Sequence, residues 1–128
     1  MTSQKSVLVA EDDEDSAEML QEMLTMQGYC VEVVRLARAT VGALATKHFD
    51  VVILDLTMPG MSTDELVTEI MQLEQSSPLV IFSARPSFEV AAVASRLKAE
   101  AILKKPVDMD ELLATLSRVI HSRSNGSD

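Results

Sequence analysis

Val51-Val52-Ile53-Leu54-Asp55 decides the fold. Four apolar residues, three of them β-branched, run without polar alternation into one carboxylate. A strand with one face in water alternates. A strand buried on both faces does not, and that is the habit of the middle of a parallel sheet. Leu56-Thr57-Met58-Pro59-Gly60-Met61 follows, and its Pro-Gly pair ends the strand and opens a loop. Asp55 therefore stands at the carboxyl end of a central strand, where open α/β sheets place their ligands. Packing offers no reason for an acid there.

On the amino-terminal side, Ser6 to Ala10 reads as a first strand running into the acidic cluster Glu11-Asp12-Asp13. Ser16 to Gln27 reads as a helix with Ala17, Leu20, Met23 and Leu24 on one face, stopped by Gly28. Tyr29 to Arg35 is a second strand weighted by Val31, Val33 and Val34. Leu36 to Lys47 is a second helix with Ala37, Val41, Leu44 and Ala45 inward. On the carboxyl side, a third helix is expected from Thr63 to Glu74. Ser62 and Glu65 have capping-box spacing, and Leu66, Val67, Ile70 and Met71 form its apolar stripe. Leu79-Val80-Ile81-Phe82 is a fourth strand ending at Ser83-Ala84, and an alanine-rich fourth helix begins near Ser87. Ala101-Ile102-Leu103 is a fifth strand ending at Lys104-Lys105-Pro106. A fifth helix runs from Met109 to about His121, with Met109, Leu112, Leu113, Leu116, Val119 and Ile120 as its stripe and Asp108 and Glu111 at capping-box spacing.

Five βα units in strict alternation predict a three-layer, doubly wound α/β fold, its parallel sheet covered by helices on both faces. Right-handed crossovers at this length favour the flavodoxin-like strand order 2-1-3-4-5. The 128 residues make one domain, with a core of about 6–121 and a polar, frayed tail at 122–128. Hydrophobic residues make up 47%, which excludes disorder. With 3% aromatics and eight methionines, the core must be aliphatic. The formal charge of −9 argues against direct nucleic-acid binding. No secretory leader and no stretch of about 18 apolar residues is present, so a soluble, cytoplasmic protein without membrane insertion is expected. The single cysteine, Cys30, excludes an internal disulfide and reads as a small buried hydrophobe. His48 and His121 read as surface residues.

The chemistry lies in what the strand ends collect: Glu11, Asp12 and Asp13 from the first, Asp55 from the third, Ser83 from the fourth and Lys105 from the fifth. In a 2-1-3-4-5 sheet the order reverses between strands one and three, so Asp12 and Asp55 flank the ligand crevice. Clustered carboxylates repel one another, and a divalent cation relieves that repulsion. An all-oxygen donor set without His or Cys suits Mg2+ better than zinc. A carboxylate beside Mg2+, an ammonium and a hydroxyl can attack phosphorus, with the cations neutralising the equatorial oxygens. Taken singly, each residue has an ordinary explanation. The acids suit a first helical turn, and Ser83 and Lys105 suit a strand end and solvent. Their joint placement carries the functional reading.

These stretches resemble the response-regulator receiver domain, the phospho-acceptor module of two-component signalling. The resemblance covers Val7 to Asp13, Ile53 to Met61, Ser83-Ala84 and Lys104-Lys105-Pro106, within about residues 6–121. It implies that Asp55 is the phosphorylated aspartate and that Asp12 binds Mg2+ directly, with Glu11 beside it acting through water. It implies the Thr57 backbone carbonyl as a further metal ligand, Ser83 as the switch hydroxyl, Lys105 as the conserved-role lysine, and a cis Lys105-Pro106 bond. The implied partners are a sensor histidine kinase or histidine phosphotransfer protein as donor. A downstream protein is implied at the face of the fourth helix, fifth strand and fifth helix. The implied activity is self-catalysed phosphotransfer and slow dephosphorylation, not metabolic catalysis.

Two departures stand out, and two further positions bear on phosphoryl lifetime. Ile102 occupies a place where the family often has Tyr or Phe, which puts an aromatic switch in question. Ser62-Thr63 replaces a common Asp-Gly pair, and Thr57 and Arg85 sit where the family tunes phosphoryl lifetime. The alternative class is a phosphorylation-independent interaction module. A metabolite-directed aspartyl-phosphate hydrolase is disfavoured by Thr57 two residues after the nucleophile and by the lack of a cap domain. A flavodoxin is disfavoured by acids where a phosphate loop belongs.

Overall fold

The central strands of the sheet owe their unbroken hydrophobicity to a helix layer on either side. The computed structural model describes residues 4–126, with side chains described for residues 4–122. The elements are β1 (Ser6–Ala10), α1 (Glu14–Met26), β2 (Cys30–Val34), α2 (Ala37–Thr46), β3 (Val51–Asp55), α3 (Thr63–Met71), β4 (Leu79–Ser83), α4 (Ser87–Leu97), β5 (Ala101–Lys104) and α5 (Met109–Gly126). All strand pairs are parallel, in the order β2-β1-β3-β4-β5. This is the doubly wound, flavodoxin-like fold.

Alternate residues of the central strands feed two separate cores. Leu8, Ala10, Val52, Leu54, Leu79 and Ile81 pack with α2, α3 and α4 through Leu44, Leu66, Ile70 and Val90. Val7, Val9, Val51, Ile53, Val80 and Phe82 pack with α1 and α5 through Leu20, Leu24, Leu112 and Leu116. Every residue of β3 and of β4 is buried. Each large aliphatic side chain removed from water in this way contributes about 1.5–3 kcal/mol before entropy is charged against it. Register then delivers the site. Ala10 pairs with Leu54, Asp55 with Phe82 and Ser83 with Lys104, so the residues just past β1, β3, β4 and β5 share one edge.

Local caps hold the helices as the spacing predicts at two positions. Ser62 and Glu65 form a reciprocal capping box on α3, and Gly28 takes φ +93° after α1. At α5, Asp108 accepts from the Glu111 N–H at 3.2 Å. Among the described residues no helix is long and apolar enough to cross a membrane.

Four expectations are corrected. Cys30 is exposed, because β2 is an edge strand and its first residue lies outside both cores. On α2, Ala43 is buried and Ala45 is exposed, a two-residue shift of the inward face. Met71 is 53% exposed because α3 ends there, three residues short of Glu74, and the chain turns away from the core. The helix expected to stop at about His121 continues to Gly126, which overturns the frayed tail at 122–126; residues 127–128 lie outside the described residues.

Candidate phospho-acceptor site

Asp55 ends β3 and is 6% exposed. Its Oδ1 accepts the Thr57 backbone N–H at 3.0 Å, and its Oδ2 accepts from Lys105 Nζ at 3.0 Å. Lys105 leaves β5 with its own N–H bonded to the Ser83 carbonyl at 3.0 Å, and the Lys105–Pro106 peptide is cis. The ammonium also lies 2.7 Å from Glu11 Oε2 and 4.8 Å from the centre of the Phe82 ring. Glu11, the first residue past β1, is 1% exposed. One cation thus ties together acids delivered by two adjacent strands.

The electrostatics follow from burial. Removal from water pushes the Glu11 carboxyl above its ordinary value; the Lys105 contact pulls it back, and nearby Asp55 pushes it up again. Burial opposes the charge on Lys105, but its close contacts with the Glu11 and Asp55 carboxylates outweigh it, and the ammonium titrates above its usual range. Lys105 stays charged in this setting.

Around this buried pair is an open cleft of about 400 Å³, lined by Glu11, Asp12, Asp55, Thr57, Arg85 and Lys105 among others. Asp12 and Asp13 are exposed at its rim. Asp13 is committed to structure, accepting the Ser16 N–H at 2.8 Å as the N-cap of α1. Arg85 crosses the mouth, its Nε donating to Thr57 Oγ1 at 3.1 Å. Ser83 is 3% exposed and accepts the Arg85 N–H at 3.0 Å. It does not line the acidic cleft. It lines a neighbouring, mainly apolar cavity of about 190 Å³ with Val90 and Ile102. Of the residues singled out in the sequence, then, Glu11, Asp12, Asp13, Asp55, Thr57 and Lys105 meet in one cleft and Ser83 lies next door, with Arg85 bordering both cavities.

The donors present fit a hard divalent cation: three carboxylates and a backbone carbonyl, all oxygen. Glu11 Oε2 is buried and has no hydrogen bond, the nearby ammonium lying off the bonding geometry, so this acceptor has lone-pair capacity to spare. Among the described residues no three Asp, Glu, His or Cys side chains already converge as a metal cluster; the ammonium lies between two of the acids instead.

One residue beside the site was missed in the sequence. Arg35, just past β2, donates from Nη2 to the Asp12 carbonyl at 3.0 Å. Only its position at a strand end pointed to the site.

Residues 7–117 match the family model for the response regulator receiver domain. The chain belongs to this family. The sensory/regulatory protein RpfC of Xanthomonas campestris is 34% identical over 115 residues, covering 87% of this chain and 16% of that protein. The transcriptional regulatory protein QseB of Escherichia coli O157:H7 is 32% identical over 120 residues, covering 94% of this chain and 54% of that protein. The receiver thus spans about half of one relative and a sixth of the other. Among solved structures, a CheY-like receiver domain from Methanospirillum hungatei superposes with a TM-score of 0.88 at 22% identity, covering 97% of this chain and 99% of that one. The receiver domain of a Pseudomonas aeruginosa sensor histidine kinase, solved with magnesium in its active-site cleft, superposes with a TM-score of 0.82 at 21% identity, covering 93% and 99%. At these identities the two structures show the shared fold.

Proposed function

We propose that this receiver takes a phosphoryl group on Asp55 from a phosphohistidine of a sensor kinase or phosphotransfer protein, and that it works in the cytoplasm. The observation that carries the reading is the Lys105 ammonium held 3.0 Å from Asp55 and 2.7 Å from buried Glu11. An Asp55 oxygen attacks phosphorus, the P–N bond to the donor imidazole breaks, and the imidazole leaves with its electron pair. Lys105 holds its positive charge beside the acceptor, where the incoming oxygens need it. Glu11, Asp12, Asp55 and the Thr57 carbonyl are the residues that hold Mg2+, which supplies further charge neutralisation at phosphorus when bound. The Ser83 hydroxyl, one residue past Phe82, is the group that turns toward the new phosphate. Loss of the phosphoryl group to water resets the switch.

The output is a change of protein partner at the face of α4, β5 and α5. No direct contact with nucleic acid is assigned to this domain; its charge of −9 opposes one. Ile102 is 47% exposed on β5, so the switch at that face works without an aromatic at this place. The same observation favours the second reading, a phosphorylation-independent interaction module.

Intact mass after incubation with acetyl phosphate tests the choice, with Mg2+ or EDTA, on wild type and Asp55→Asn. The expected result is one phosphate adduct on wild type with Mg2+ and none in the other three samples. An adduct that persists in Asp55→Asn sinks the site assignment. A folded, Mg2+-binding wild type that takes no phosphate from this donor or from a phosphohistidine protein establishes the interaction module.

A further inference from the structure

The loop that presents Asp12 is held from both sides, and its outer hold is a side chain. The Glu11 N–H donates to the Val34 carbonyl at 3.1 Å, and the Asp13 N–H donates to Glu11 Oε1 at 3.1 Å. Between them, the Asp12 carbonyl accepts from Arg35 Nη2 at 3.0 Å. The residue before Asp12, Asp12 itself and the residue after it are therefore each fixed by one hydrogen bond. Two of the three come from the end of β2, the strand next to β1. The Asp12 carboxylate makes no hydrogen bond or ion pair among the described residues and stands at the cleft rim. Its backbone is fastened and its side chain is left free for a ligand.

We infer that Arg35 is a positioning residue for the divalent cation: it fixes the Asp12 peptide so that the carboxylate meets the cation already oriented. This rests on the Mg2+ site proposed above and adds a residue that touches neither metal nor phosphoryl group. Groups that orient a ligand from behind set metal affinity by about 10–100-fold. A cation near a metal site also has the opposite tendency, because like charges repel. These two effects differ in sign. If Arg35 acts by orientation, its loss weakens Mg2+ binding. If it acts only as a charge, its loss tightens binding.

Calorimetric titration of Mg2+ into wild type, Arg35→Met, Arg35→Lys and Asp12→Asn decides this without any phosphotransfer readout. Met keeps the stem and removes the donor; Lys keeps donor and charge. Arg35→Met is expected to weaken Mg2+ binding about ten-fold, with Arg35→Lys recovering most of it. Urea midpoints of the two Arg35 variants are expected to match wild type, since Arg35 is exposed. Unchanged or tighter binding in Arg35→Met overturns the inference while leaving the Mg2+ site intact. An equal loss in Arg35→Lys and Arg35→Met also overturns it. Wild type that binds no Mg2+, or Asp12→Asn that binds as well as wild type, removes the metal-site reading itself and the inference with it.

Discussion

Lys105 Nζ lies 2.7 Å from Glu11 Oε2, and Glu11 is 1% exposed. The ammonium is the counter-charge that lets this acid stay inside. Removing one partner of such a pair leaves the other charge buried and uncompensated, at a cost of about 3 kcal/mol. Lys105→Met is expected to lower the urea midpoint accordingly. Glu11→Gln on that background takes away the stranded charge and is expected to recover at least half of the loss. A Lys105→Met midpoint equal to wild type would show that water already screens Glu11.

Lys98 closes α4 in the left-handed region, at φ 55° and ψ 44°. A side chain with Cβ is crowded there, and glycine is not. Lys98→Gly is expected to stabilise the fold by about 1 kcal/mol and to raise Tm by about 4 °C. Calorimetry checks it. A fall in Tm would mean that the glycine's extra freedom in the unfolded chain outweighs the relieved strain.

Ser62 accepts the Glu65 N–H at 3.1 Å and its own N–H is taken by Glu65 Oε1 at 3.0 Å. Ser62→Ala is expected to cost about 1 kcal/mol, with Ser62→Asp restoring most of it. The hydrogen bonds from Ser62 hold the Glu65 carboxyl below its ordinary value. Its contribution is therefore present above the unfolded-chain value and fades as pH falls through the lower folded one. Acid unfolding followed by circular dichroism is expected to begin at higher pH in Glu65→Ala.

Burial pushes the Tyr29 phenol above 10.0. Between the unfolded and folded values the native state keeps a proton that the unfolded chain has given up, so stability falls as pH rises through that window. Tyr29→Phe removes this term. Its urea midpoint is expected to decline less than that of wild type across the alkaline range. Parallel declines would place the Tyr29 hydroxyl in water.

Much of this was legible because buried parallel strands write an unmistakable pattern. Val51 to Asp55 and Leu79 to Ser83 read as strands closed on both faces, and every residue in both is buried. Edges were harder to read. Cys30 sits among apolar neighbours in the sequence, but β2 has a partner on one side only, and nothing among the described residues covers its first residue. Helix faces slipped by a residue or two where alanines blur the stripe, as at Ala43 and Ala45. The site was legible as a set of strand ends. Its internal ranking was not, because an acid run does not say which member turns inward. Glu11 is sealed under Lys105, Asp12 stands at the rim and Asp13 caps α1. Arg35 was invisible because its bond is to a backbone carbonyl, which leaves no trace in residue type.

β3 is hydrogen-bonded on both sides, with β1 and β4, and all of it is buried. Its amide protons meet deuterium only when the whole domain opens, whereas exposed contacts such as Arg85 to Thr57 open alone. The Asp55 carboxylate is thus rooted in the last part of the chain to let go. A receiver built this way can loosen and remake its outer contacts many times over while Asp55, the proposed acceptor, stays anchored.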